Sequence, residues 1–210
     1  MQIVLSPALV FAAALAGQAN APVGGTVEGR VVLEVPGLDS ESVGPSVVFL
    51  EGVDGPIQYE VPTKKAQLVQ DKVAFSPRFL AIAAGQTVAM PNNDRIVHNV
   101  FSFSKPNEFD VGLYPKGETK DVTFKHPGVV SVHCSIHTKM NAIIFVAPSP
   151  YFAVVDAAGT FRIAGVPKGV YRLKTWCQKL PALESIVEVE PGKPTTTELR
   201  HQVQTKGTSK

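Results

Sequence analysis

Gly128-Val129-Val130-Ser131-Val132-His133-Cys134-Ser135-Ile136-His137-Thr138-Lys139-Met140 decides how this chain reads. Its first half is β-branched and alternates in polarity, the mark of a half-buried strand. The strand ends on a thiol, and the turn after it carries an imidazole and a thioether. A second imidazole, His98, lies upstream in a similar stretch, Val97-His98-Asn99-Val100-Phe101. Two imidazole nitrogens and one thiolate in a trigonal plane, with a weak axial thioether, form a set suited to copper in one-electron chemistry. The turn would bring His137 and Met140 back over Cys134, while His98 would enter from another strand and staple the two together. A thiolate is costly to bury alone, and coordination keeps it deprotonated. Asn99, next to His98, is the candidate for the hydrogen bond that ties the two ligand-bearing segments and orients the imidazole.

Other uses of these residues fit less well. A structural zinc site favours a fourth Cys or His over Met. Several coppers would need paired His-x-His segments, yet the chain holds five histidines and places Ser135 after Cys134. A binuclear centre needs a second Cys in the loop, which is absent. The chain has two cysteines, so a Cys134–Cys177 disulfide is the competing structural reading in an oxidising compartment. Ligation also accounts for His98, His137 and Met140; a disulfide accounts for none of them. His133 alternates to the opposite strand face from Cys134 and reads as a surface residue. His126 reads as a turn residue and His201 as an exposed strand residue. Phe101, Phe103, Phe109, Phe124 and Phe145 read as sandwich core, Trp176 as a core or interdomain anchor, and Cys177 as a buried thiol.

The 210 residues suffice for one large or two modest domains. Twenty Lys and Arg against eighteen Asp and Glu leave a formal charge of +2 with no basic run, which argues against a nucleic-acid partner. Seventeen Gly and seventeen Pro, spread along the chain, imply many turns and an all-β fold.

Residues 3–16 are mostly apolar and uncharged, and shorter than the roughly 20 residues that span a bilayer. With Ala19-Asn20-Ala21 after them, residues 1–21 read as a signal peptide, although no Lys or Arg precedes the apolar stretch and Pro22 is a poor first mature residue. A buried N-terminal helix is the alternative. The expectation is an exported protein of the periplasm or cell envelope, with no membrane span once the signal is cleaved.

Short strands are expected near 26–33, 46–50, 68–75, 80–82, 87–90, 97–103, 118–124, 129–134, 142–146, 152–155, 160–163, 170–176, 185–189 and 195–203, with residues 203–210 a disordered tail. Residues 61–150 hold every candidate ligand and 151–202 hold none. Gly25-Thr26-Val27-Glu28-Gly29-Arg30-Val31, Pro45-Ser46-Val47-Val48-Phe49-Leu50-Glu51-Gly52 and residues 156–173 resemble strands of a carboxypeptidase-regulatory-like, or transthyretin-like, β-sandwich. Residues 22–60 would then open a small sandwich that 61–150 interrupt and 151–202 complete. In the alternative, two domains follow one another and 22–60 add strands to the first.

Residues 66–147 resemble the cupredoxin family, in particular its small blue-copper proteins of amicyanin and plastocyanin type. The likeness rests on Asn93-Asp94-Arg95-Ile96-Val97-His98-Asn99-Val100 and on the stretch 128–140, whose C-x2-H-x2-M loop is closer to the amicyanin length. The longer pattern, from NxDxxxHNVFS through FDVGLYPKGE to PYFAVVDAAG, resembles exported cupredoxin-domain proteins, some of them labelled methylamine-utilisation proteins. Thr138 stands where such loops often carry Pro, and Cys177 where relatives usually have His. The resemblance implies a Greek-key β-sandwich with one type 1 copper held by His98, Cys134, His137 and Met140. It further implies an electron port at the exposed edge of His137, a redox protein partner of cytochrome or dehydrogenase type, and no bond chemistry by the chain itself. The alternative function is a non-redox binding or structural protein, or a copper store, whose small sandwich docks a protein or glycan.

Overall fold

A computed structural model describes residues 24–202; the expected signal peptide at 1–21 and tail at 203–210 lie outside the described residues. Among the described residues the regular structure is almost all strand. It opens with β1 (Gly25–Glu34), a single helical turn α1 (Ser40–Val43) and β2 (Ser46–Gly52). Next come β3 (Ala66–Gln67), β4 (Val69–Asp71), β5 (Ala74–Ser76), β6 (Phe79–Ala83), β7 (Thr87–Pro91), β8 (His98–Ser102) and β9 (Phe109–Tyr114). Then follow β10 (Thr119–Thr123), β11 (Gly128–His133) and β12 (Asn141–Ala147). The last five are β13 (Phe152–Val154), β14 (Thr160–Val166), β15 (Gly169–Cys177), β16 (Glu184–Val189) and β17 (Pro194–Gln202).

Two sandwiches result. In the first, a sheet ordered β10-β7-β3 faces one ordered β6-β12-β11-β8-β9. Alternation on β11 turns Val130 and Val132 inward, where they meet Val88, Met90, Val100, Phe124 and Ile144 in one core. Each such side chain contributes on the order of 1.5–3 kcal/mol by leaving water. In the second, β14-β1-β17 and β13-β2-β15-β16 enclose Val27, Val48, Leu50, Ile163, Leu173 and Val189. The opening strands belong to this second core: β1 runs antiparallel to β14 and parallel to β17, and β2 lies between β13 and β15.

The sandwiches touch through a third apolar cluster. Val47, Phe145 and Ala147 are buried there, with Phe49, Phe79, Phe152 and Trp176 packed around them.

Five expectations need correction. The strand expected at 68–75 is a hairpin, β4 and β5, whose turn residues Lys72 and Val73 take φ of 52° and 56°. A two-residue turn of this hand requires positive φ at both centres, normally signalled by Asn or Gly, which are absent here. Strand β9 was not among those expected, and α1 is an unexpected turn in which Asp39 Oδ1 accepts the Ser42 amide at 2.8 Å. His201 is buried, at 3 % exposure, on the inward side of β17 beside Leu199 two residues earlier. Phe103 is 83 % exposed, because β8 ends at Ser102 and the chain leaves the sheet before it.

Candidate metal centre

Three backbone segments converge at one end of the first sandwich. His98 begins β8 and is fully buried; Cys134 directly follows β11 at 4 % exposure; Met140 directly precedes β12 at 1 %. The intervening turn is closed by two backbone hydrogen bonds, from the Met140 amide to His137 O at 2.9 Å and from the Cys134 amide to Met140 O at 3.2 Å. His137 sits half-buried on that turn, with exposed Ile136 and Lys139 near it in sequence.

One donor atom from each of His98, Cys134 and His137 falls within a 4.8 Å group. Cys134 Sγ lies 3.8 Å from His98 Nδ1 and 3.7 Å from His137 Nδ1. An ion about 2.3 Å from sulfur and about 2.05 Å from nitrogen, with 120° between the bonds, sets sulfur and nitrogen about 3.8 Å apart. A tetrahedral angle would bring them to about 3.6 Å. The observed spacings lie within this range and suit a small ion held by one sulfur and two nitrogens. Met140 is sealed into the same core cluster as Cys134. Among the described residues, no second group of three such donors converges.

A carboxylate that sequence reading did not assign completes the surroundings. His98 Nε2 lies 2.8 Å from Asp94 Oδ2. The same carboxylate accepts the backbone amides of Lys72 at 2.6 Å and Val73 at 2.9 Å. Burial alone would raise the Asp94 pKa, but the hydrogen bonds from Val73, His98 and Lys72 outweigh it and hold the acid below its ordinary value. The spacing of Asp94 four residues before His98 was the available signal, because a ligand imidazole commonly gives its other nitrogen to a carboxylate. Asn99 donates Nδ2 to Asp110 Oδ1 at 2.6 Å, toward β9, and its Oδ1 is buried with no hydrogen-bond partner.

Behind the site, Tyr114 is buried and gives its hydroxyl proton to Met90 O at 2.8 Å. Burial, with the charge of Cys134 adding to it and a hydrogen bond from Gln70 opposing, pushes its pKa to about 12.

Cys134 and Cys177 are both free and buried, so the disulfide reading falls. Cys177 lies instead beside His201, Sγ 3.6 Å from Nε2, bridging the two sheets of the second sandwich. His133 and His126 are exposed, as alternation and the Pro-Gly turn implied. Phe145 is buried and Phe109 packs edge-on against buried Phe124, their centroids 5.6 Å apart.

Residues 62–147 match the model of a family described as copper binding proteins, plastocyanin/azurin family. This segment is similar to the cupredoxins. A chloroplastic plastocyanin of Fritillaria agrestis is 37 % identical over 76 residues, which are 31 % of this chain and 46 % of the plastocyanin. The chain thus spans less than half the length of that relative. Among solved structures, a purple cupredoxin from Nitrosopumilus maritimus is 25 % identical, with TM-score 0.36, over 40 % of this chain and all of that one. Amicyanin from Paracoccus versutus is 23 % identical, with TM-score 0.36, over 46 % of this chain and 90 % of that one. Copper is the metal of the matched family, and His98, Cys134 and His137 are the donor group this segment offers it. No helix among the described residues is long and apolar enough to cross a membrane.

Proposed function

We propose that this protein is an exported electron carrier with one type 1 copper, held by His98, Cys134 and His137 with Met140 as the weak axial ligand. The pair of sulfur–nitrogen distances, 3.8 and 3.7 Å, carries the reading, because both suit one small ion shared by the sulfur and the two imidazoles. Bound there, copper supplies one-electron exchange. The chain's own task is to hold the donors still: two ligands sit at strand ends and the turn is closed by its own amides. A cage that barely moves keeps the reorganisation on electron transfer small. The chain carries out no bond chemistry of its own.

His137 is the port, since it is the one imidazole of the group that is not fully buried. Ile96, Val97 and Ile136, each 45–49 % exposed, provide apolar surface on the loops that carry the ligands. The exposed cations Arg95 and Lys139 belong to the same two loops, and exposed Lys72 lies at the tip of the β4–β5 hairpin, whose amide meets Asp94. This combination suits a redox protein partner with acidic groups around an apolar contact. Export to the periplasm or envelope rests on residues 1–21. The pairing of β1 and β2 with β13 to β17 supports the organisation in which 22–60 and 151–202 form one transthyretin-like sandwich around a cupredoxin domain at 61–150.

The test is colour. Cu(II) added to the purified protein gives an intense thiolate-to-copper band at one equivalent, and Cys134→Ser abolishes it. Copper bound tightly with no such band in the unaltered protein rejects the carrier and favours a store.

A further inference from the structure

We propose that Asp94 is the positioning residue of the metal centre: its carboxylate sets the tautomer and angle of His98, and its charge lowers the reduction potential. The second half rests on the copper reading above; the first does not.

An ionised carboxylate only accepts hydrogen bonds. At 2.8 Å from Asp94 Oδ2, His98 Nε2 must therefore carry the ring proton. That leaves the lone pair on Nδ1, the nitrogen that faces Cys134 Sγ at 3.8 Å. The imidazole is thus prepared to bind before any ion arrives, as a ring of the other tautomer would not be.

Asp94 is itself held from the opposite side. The Lys72 and Val73 amides both point at its carboxylate, and they do so because both residues take positive φ at the tip of the β4–β5 hairpin. A β-branched residue such as Val73 rarely adopts that conformation, so a strained backbone persists where it grips this one side chain. From below, the Asp94 amide donates to Asn92 Oδ1 at 2.9 Å, and Asn92 Nδ2 donates to Ile96 O and Tyr114 O, both at 3.0 Å. Hairpin, loop and strand therefore meet on one carboxylate.

The Asp94 side chain is 12 % exposed, so solvent screens its charge poorly. A fixed negative charge one imidazole away stabilises the more positive oxidation state of a bound metal. Reduction becomes harder, and the potential falls.

Two variants separate the parts. In metal-free protein, nitrogen NMR of the imidazoles shows His98 as the pure Nε2–H tautomer, and Asp94→Ala produces a mixture. Zn(II) titration of the same variant shows affinity lowered about 10–100-fold. Asp94→Asn removes the charge with little change of shape, and raises the potential of the copper-loaded protein. An unchanged tautomer in Asp94→Ala overturns the positioning role. An unchanged potential in Asp94→Asn, with only the melting temperature altered, reduces Asp94 to a loop cap and overturns the electrostatic role. If copper gives no thiolate band in the unaltered protein, the carrier reading fails while the NMR and Zn(II) results still decide the positioning role.

Discussion

The indole of Trp176 lies flat on the ring of Phe79, their planes 5° apart and their centroids 5.7 Å apart. One ring comes from β15 of the second sandwich and the other from β6 of the first. Phe145 approaches the same indole at 5.2 Å and Phe49 meets Phe145 at 5.4 Å, so the contact is aromatic on both sides. Such stacked pairs contribute beyond the area they bury. The two sandwiches are therefore fastened by a packed cluster as well as by the chain that runs between them.

Trp176→Ala should lower the unfolding free energy by about 3 kcal/mol, the low end for loss of a large ring, because the indole is half-buried. Urea unfolding of the copper-loaded protein measures it. The visible spectrum before unfolding should stay as it was, since Trp176 lies outside the core cluster that contains Cys134 and Met140. No shift of the midpoint would show that the cluster does not stabilise the protein.

Truncation after residue 150 should leave an insoluble or unfolded product. It removes β13 to β17 and strips the pairing partners from β1 and β2, exposing two edges and half a core. A soluble, cooperatively folded truncation would instead support two consecutive domains.

Stability should fall as the solution is acidified below about pH 6.5, and His201 should account for part of the loss. Burial lowers its pKa in the folded protein. Between the ordinary value and that lower one, the unfolded chain binds a proton that the folded chain does not, so falling pH favours unfolding. Denaturant midpoints of the metal-free protein from pH 7.5 to 5 measure the slope. His201→Gln should flatten it; an unaltered slope would assign the effect to other groups.

Reduction of anionic hexacyanoferrate(III) by the copper(I) protein should slow as salt is added. Lys139→Glu combined with Arg95→Glu should weaken that dependence or reverse it, because screening acts on the charges around the port. Equal salt slopes for the variant and the unaltered protein would place electron exit away from His137.

The turn that joins Cys134 to Met140 was legible because its pattern is local. Cys134, His137 and Met140 occupy one turn, and strand alternation alone sends His133 outward. The same alternation could have located His201, which shares a face with Leu199, had its polarity not suggested the surface. The hairpin tip at Lys72-Val73 was illegible, since neither residue signals a turn with positive φ. Asn99 adjoins His98 and Asp94 lies four residues before it, and only the direction of the imidazole edge selects the more distant of the two.

From the amino-acid order alone come the all-β character, the soft donor set and the two cysteines available to serve it, because side-chain chemistry and strand periodicity act over a few residues. Folding decided the rest: the grip of the Lys72 amide on Asp94, 22 residues away, the seat of Cys177 against His201, 24 residues away, and the joining of β1 to β17 from opposite ends of the chain. Those contacts depend on how strands settle against a shared core, and no short window of sequence encodes that arrangement.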